Sequence, residues 1–203
     1  MNVRPAKIAV LLLLVLAIIA FLYGARVIHQ GFKAKDQPSA IETLLARTTR
    51  NLAIPASASS ELDPIPPTPE NVTEGREHFA DHCAICHANN GSGQTEIGQN
   101  LYPKVPDMRG PRTQNLTDGE IFYIIQNGVR LTGMPAWGDA HQADETWKLV
   151  LFIRHLPQLT AGEVNEMEHL NPKSDADRDE EQQEEQFLNG GTPPANFQKE
   201  HDH

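Results

Sequence analysis

The pattern of apolar and polar positions divides the chain into segments of different character. Ile8 to Tyr23 is an unbroken apolar run of sixteen residues, and Gly24 and Ala25 extend it to eighteen. At about 1.5 Å per residue a helix over this run reaches roughly 27 Å, close to the hydrocarbon thickness of a bilayer. It is apolar on every side and terminal, which argues against a buried core helix. Residues 1–25 therefore read as a transmembrane anchor or a signal. A cleaved signal has a shorter apolar stretch ending in a small-x-small site. Ala25 has Tyr23 two before it, Gly24 has Leu22 and Ala20 has Ile18, so no good site is present and the uncleaved anchor is favoured. The cations around the run do not orient it. Arg4 and Lys7 on one side are balanced by Arg26, Lys33 and Lys35 on the other.

Residues 26–68 read as a linker. Ile41, Leu44, Leu45, Thr48 and Leu52 fall on one helical stripe, which predicts a short amphipathic helix near 39–51. Five prolines between Pro55 and Pro69 then imply an extended, semi-rigid spacer. The plain role is a stalk; docking of the helix on the following domain or on a partner is the alternative.

Residues 69–160 carry helical periodicity and no strand signal of length, so the fold class is all-α. Thr68-Pro69-Glu70 starts a helix with proline early and an acid in the first turn. Gly75, Phe79 and Cys83 follow at four-residue spacing on one face. Thr117-Asp118-Gly119-Glu120 reads as a capping box ahead of Ile121, Phe122, Ile124 and Ile125, with Gly128 as the stop. A last helix opens at Asp144-Glu145-Thr146, runs through Trp147, Val150 and Leu151, and closes at Pro157.

Composition sharpens the tail more than the domain. The chain has 203 residues and a formal charge of −10. Residues 1–69 carry 7 basic and 4 acidic side chains, 70–160 carry 7 and 11, and 161–203 carry 3 and 12. The acidity is thus mainly a property of 161–203, an acidic tail expected to be largely disordered because it has little apolar surface to bury. So acidic a chain is a poor nucleic-acid binder. The closing His201-Asp202-His203 invites a metal-binding idea, although histidines on such an end are usually solvated.

The two cysteines, too few for a disulfide framework, lie together in Cys83-Ala84-Ile85-Cys86-His87. C-x-x-C-H is the c-type haem attachment pattern. Thiols three apart on a helical turn project to one side and reach the two vinyl groups of one porphyrin, and the adjacent imidazole ligates iron. A structural zinc site would need a second ligand pair; His78 and His82 lie on the helix upstream instead. A dithiol redox pair is favoured by a thioredoxin-like βαβ setting, which is absent. For the second axial position, Met134 stands in Thr132-Gly133-Met134-Pro135-Ala136-Trp137-Gly138, where Gly133 permits close approach, Pro135 fixes the loop and Trp137 offers an apolar wall. Met108 reads as a packing residue against the cofactor, Met167 is a further candidate, and His141 is a weaker competitor.

Cys83-x-x-Cys86-His87 together with Gly133-Met134-Pro135-Ala136-Trp137 resembles class I c-type cytochromes, and more closely membrane-anchored bacterial monohaem cytochromes. The resemblance covers about residues 69–159. It implies one covalent haem c on Cys83 and Cys86, with His87 and Met134 as axial iron ligands and Met108 and Trp137 lining the site. It also implies that His87 Nδ1–H donates to a backbone carbonyl of the following loop, that of Pro106, with Pro103 as the fallback. The Gly91-Ser92-Gly93 stretch reads as flexible. The resemblance further lets the first domain helix cross the last through Gly75 and Phe79, against a stripe of Trp147 and Leu151.

The function implied is electron transfer, not enzymatic catalysis, between redox protein partners whose identity the sequence does not give. Alternatives are a haem-relay subunit of a larger oxidoreductase complex, or a haem enzyme or gas sensor with a labile Met134. The family receives haem outside the bacterial cytoplasmic membrane. That implies a single-pass protein with its N-terminus inside, its haem domain in the periplasm, and a place in a respiratory or other redox chain.

Overall fold

The structure is a computed structural model, and it describes residues 5–30, 33–138 and 142–173, together with 183, 186 and 187. His141, His201, Asp202, His203 and most of the acidic tail lie outside the described residues. Among the described residues there are helices and no strands.

Helix α1 spans Pro5–Gln30, longer than the apolar run alone, with its side chains from Ile8 to Tyr23 exposed. Its segment Ala6–His29 is long and apolar enough to cross a membrane. Helix α2 spans Ala40–Ala53. Its start is fixed by reciprocal bonds: the Glu42 N–H donates to Ser39 Oγ at 3.2 Å, and the Ser39 N–H donates to Glu42 Oε2 at 2.8 Å. Two orphan donors of the first turn are satisfied in this way. A short α3, Ala56–Ser59, follows.

The domain proper is built on α4 (Pro69–His82), α8 (Asp118–Asn127) and α9 (Ala143–His155). Between them lie three short helices, α5 (Ala84–His87), α6 (Glu96–Asn100) and α7 (Pro111–Gln114). Helix α4 crosses α9 at Gly75, where a Cβ would lie 2.0 Å from the Lys148 carbonyl oxygen and 3.2 Å from Phe152 Cβ. The glycine is what lets the two backbones touch. One turn on, the Phe79 and Phe152 rings pack at 5.1 Å. The expected crossing is present, but its stripe is Lys148–Phe152, one position on from Trp147 and Leu151. Trp147 turns instead to α8 and stacks on Phe122 at 4.1 Å. Phe79, Leu149, Val150, Phe152, Leu156 and Met167 are fully buried. The N-terminal box of α8 is as read: the Glu120 N–H donates to Thr117 Oγ1 at 3.2 Å, and the Thr117 N–H donates to Glu120 Oε2 at 2.8 Å.

Two segments differ from the sequence reading. The spacer is not free of the domain at α3. Ile54 and Ala58 are buried, Ser59 Oγ donates to Glu120 Oε1 at 2.9 Å, and a Cβ on Gly119 would lie 2.0 Å from the Ala58 carbonyl oxygen. Small side chains on both partners allow this seat on α8. The acidic tail also begins later than 161, because Ala161–Glu168 forms α10. Its acids are used rather than merely solvated. Glu166 pairs with Arg76 at 2.8 Å, Glu163 meets His155 Nε2 at 2.8 Å, and Met167, just after Glu166, is buried in the core. Met167, a sequence candidate for iron, is thereby a core residue.

Candidate haem site

The Cys83–His87 turn sits where α4 ends. Cys83 closes α4, its N–H donating to the Phe79 carbonyl at 2.9 Å, and α5 begins at once. The His87 N–H donates to the Cys83 carbonyl at 2.9 Å, so the motif is one helical turn. That turn sets both sulfurs and the imidazole on one side. Ala84 and His87 are buried while Ile85 is exposed. The Phe79 ring lies 6.3 Å from the His87 ring and so ties the turn to the core.

The sequence does not announce what holds the turn from behind. Thr95 Oγ1 donates to the Cys86 carbonyl at 3.1 Å, and also accepts the Gly98 N–H at 2.8 Å to cap α6. A Cβ on Gly98 would come within 2.4 Å of the Cys86 carbonyl oxygen. Gln99 Nε2 donates to the Gly93 carbonyl at 2.9 Å. Thr95, Gly98 and Gln99 are thus positioning residues. Their only sequence signal is a hydroxyl three residues before a glycine.

Gly91-Ser92-Gly93 was expected to be flexible; it is buried and bonded at both ends. The Gly93 N–H donates to the His87 carbonyl at 2.8 Å, and the Gly91 carbonyl accepts the Met108 N–H at 2.8 Å. Gly91 and Gly93 take φ of +69° and +71°, where a side chain is strained, so the reversal is tight rather than loose.

Electrostatically the turn is quiet. Burial pushes the Cys83 thiol up to about 12, with Cys86 and Asp81 adding to the shift, and burial pushes the Cys86 thiol up as well. Reactive redox cysteines are poised the opposite way, as thiolates with lowered pKa. Burial lowers His87 to about 4, so its imidazole is neutral at ordinary pH. His87 Nδ1 is buried without a hydrogen-bond partner. The expected bond to Pro106, or to Pro103, is therefore not formed. Pro106 faces solvent, and Asp107 beside it accepts the Arg109 N–H at 3.0 Å and its guanidinium at 2.7 Å.

The Met134 loop is clamped to α8. Val129 N–H donates to the Met134 carbonyl at 3.1 Å, and Met134 N–H to Thr132 Oγ1 at 3.1 Å. Trp137 and Gly138 N–H groups donate to the Ile125 and Gln126 carbonyls at 3.1 and 3.0 Å, satisfying the open end of that helix. Met134 is half-buried. Trp137 meets the His82 ring edge-on at 5.7 Å, next to Cys83. Cys83, Met108 and Trp137 all pack against the same core. Met108 is fixed further by Gln114 Nε2, which donates to its carbonyl at 2.8 Å and to that of Ile153 at 2.9 Å.

These residues fit haem c. Two protonated thiols on one turn suit thioether attachment, and a buried, neutral imidazole beside them suits an axial donor. A thioether stands in a braced loop. Among the described residues no group of three or more His, Cys, Asp or Glu side chains offers a competing metal site.

Residues 70–153 match the family described as "Cytochrome C oxidase, cbb3-type, subunit III". No curated protein matches the chain. The match and the Cys83–Cys86–His87 turn make this segment a class I c-type cytochrome domain, all-helical, behind one N-terminal apolar helix. Such a domain implies haem c and haem-based electron transfer.

Proposed function

We propose that this chain is a membrane-tethered monohaem carrier that passes single electrons between redox protein partners by outer-sphere transfer. The observation that carries the reading is the helical turn presenting Cys83, Cys86 and a buried, neutral His87 within a domain that also braces Met134. Haem c supplies a one-electron iron couple when bound, and thioether ligation raises its potential. Cys83 and Cys86 would hold it covalently, and His87 and Met134 would fill the two axial positions. Met108 and Trp137 would wall the ring, with Pro106 bordering the loop on the solvent side. With both axial positions filled in this way, no site would remain open for oxygen or peroxide, so the chain is read as a carrier and not an enzyme. On this reading α1 anchors the chain in the bacterial cytoplasmic membrane, N-terminus inside, with the haem domain in the periplasm.

The test is a redox-titrated visible spectrum of membranes containing the full chain, with haem quantified per polypeptide. The expected result is one c-type haem, a single one-electron step, and a far-red thioether-to-iron band in the oxidised form. A carbon monoxide shift of the reduced spectrum would overturn the ligation and favour a gas-binding role.

A second reading is favoured by the matched family's description as an oxidase subunit. The same domain would then act as a haem relay within an oxidoreductase complex. Co-purification with an oxidase from mild-detergent extracts separates a subunit from a free carrier.

A further inference from the structure

Helix α2 is mounted inside out. Its apolar stripe, Ile41, Leu44, Leu45 and Leu52, is 62–82 % exposed. Its partly buried positions are Glu42, Thr43 and Arg50, on the polar side. That side lies toward the haem domain, with Glu42 near Tyr102 and Arg50 near the Glu120 carboxylate. The segment is pinned before and after. Lys104 Nζ donates to the Ala34 carbonyl at 2.7 Å, and Ile54 is buried just beyond the helix. A soluble helix puts its stripe on the core; this one leaves its stripe exposed, with its polar side toward the domain.

We propose that the apolar face of α2 lies in the interface of the bilayer that α1 spans, as a second contact that orients the haem domain on the membrane. The proposal rests on α1 being a membrane span. Nine residues separate α1 from α2, so the stripe starts within roughly 32 Å of the end of the span. The charges match an anionic surface. Exposed Lys33 and Lys35 stand just ahead of the helix, and exposed Arg47 flanks the stripe next to Leu44. Apolar residues on one face with cations at its margin are the composition of interfacial helices. A protein partner would equally cover an apolar face, but the short connection and the flanking cations favour lipid headgroups.

The holoprotein allows a clean test, because thioether attachment would consume both native cysteines. A single Thr48→Cys, on the stripe, is labelled with an environment-sensitive fluorophore in the full chain. Ala46→Cys, on the far side of the helix, is the control, and Leu52→Cys is the second stripe position should the first variant misfold. The chains are reconstituted in phosphatidylglycerol–phosphatidylcholine vesicles with and without a nitroxide-bearing phospholipid. Expected is about twofold quenching at 48 and 52, little at 46, and loss of the quenching in Leu44→Glu/Leu45→Glu. Labels on the stripe that stay in water overturn the proposal. So does a label that is shielded but unquenched, which would mean a protein cover. Failure of the chain to float with vesicles overturns the span itself, while the haem spectrum reports separately on the domain.

Discussion

At the residue scale the site depends on a few side chains whose states are set by burial. His87 is neutral because its burial makes the imidazolium costly, so binding iron requires no deprotonation at neutral pH. Met134 is the thioether whose backbone is bonded on both sides. Met134→Ala should keep the covalent haem, lose the far-red band, gain carbon monoxide binding, and drop the potential by on the order of 0.1 V, a fraction of the range that axial ligands control. Potentiometric titration and reduced-state spectra read both effects. Cys86→Ala should leave a single thioether and a shifted α-band, seen in a pyridine haemochrome spectrum. Thr95→Val removes the hydroxyl that holds the Cys86 carbonyl and caps α6. It should cost about 1 kcal/mol in denaturant titration without changing the haem's axial ligands.

At the element scale the helices meet through glycines. Gly75→Ala puts a Cβ against the Lys148 carbonyl at 2.0 Å. The α4–α9 crossing must open, at a cost of about 3 kcal/mol, measured as a fall in thermal midpoint of the holoprotein. Helix α10 brings a pH dependence. Burial alone would raise the Glu163 carboxyl, but bonds from the Thr160 N–H and hydroxyl and from His155 hold it below its ordinary value. Its folded pKa is therefore depressed. The stability it contributes is present above about 4.5, the ordinary value, and is lost as pH falls through the folded value. Glu163→Gln should destabilise α10 at pH 7 and remove this acid step, as followed by hydrogen exchange in the Met167 segment.

The helices were legible wherever caps and periodicity agreed. Thr68-Pro69, the Thr117–Glu120 box and Gly128 all mark real ends. Helix α10 was not legible, because its eight residues hold few apolar side chains and its acids resemble the tail behind them. Of the site, the residues carrying chemistry stood out by motif. Thr95, Gly98 and Gln99 did not, because their work is done by backbone carbonyls that the sequence does not display. The His87–Pro106 bond is an expectation from the resemblance alone; here Pro106 is exposed and His87 Nδ1 has no partner.

At the scale of the whole molecule, the segment 33–68 is fastened to the domain at Ala34, Ile54 and Ala58. Gly119→Ala would push a Cβ into the Ala58 carbonyl at 2.0 Å and unseat α3. Limited proteolysis should then cut near residues 54–60 several-fold faster, with an unchanged haem spectrum, because the haem turn lies on other helices. The seating of α3 also bears on encounter rates. A domain on a long free leash samples a wide volume, and any one partner sees it at a low effective concentration that falls as the leash lengthens. Here the chain is fastened to the domain from Ile54 onward and again at Ala34. On the proposed reading, with α1 in the bilayer, the haem would travel as a rider that diffuses in two dimensions with its anchor. Electron delivery should therefore scale with the areal density of its partners in the membrane, and should saturate once donor and acceptor sit side by side.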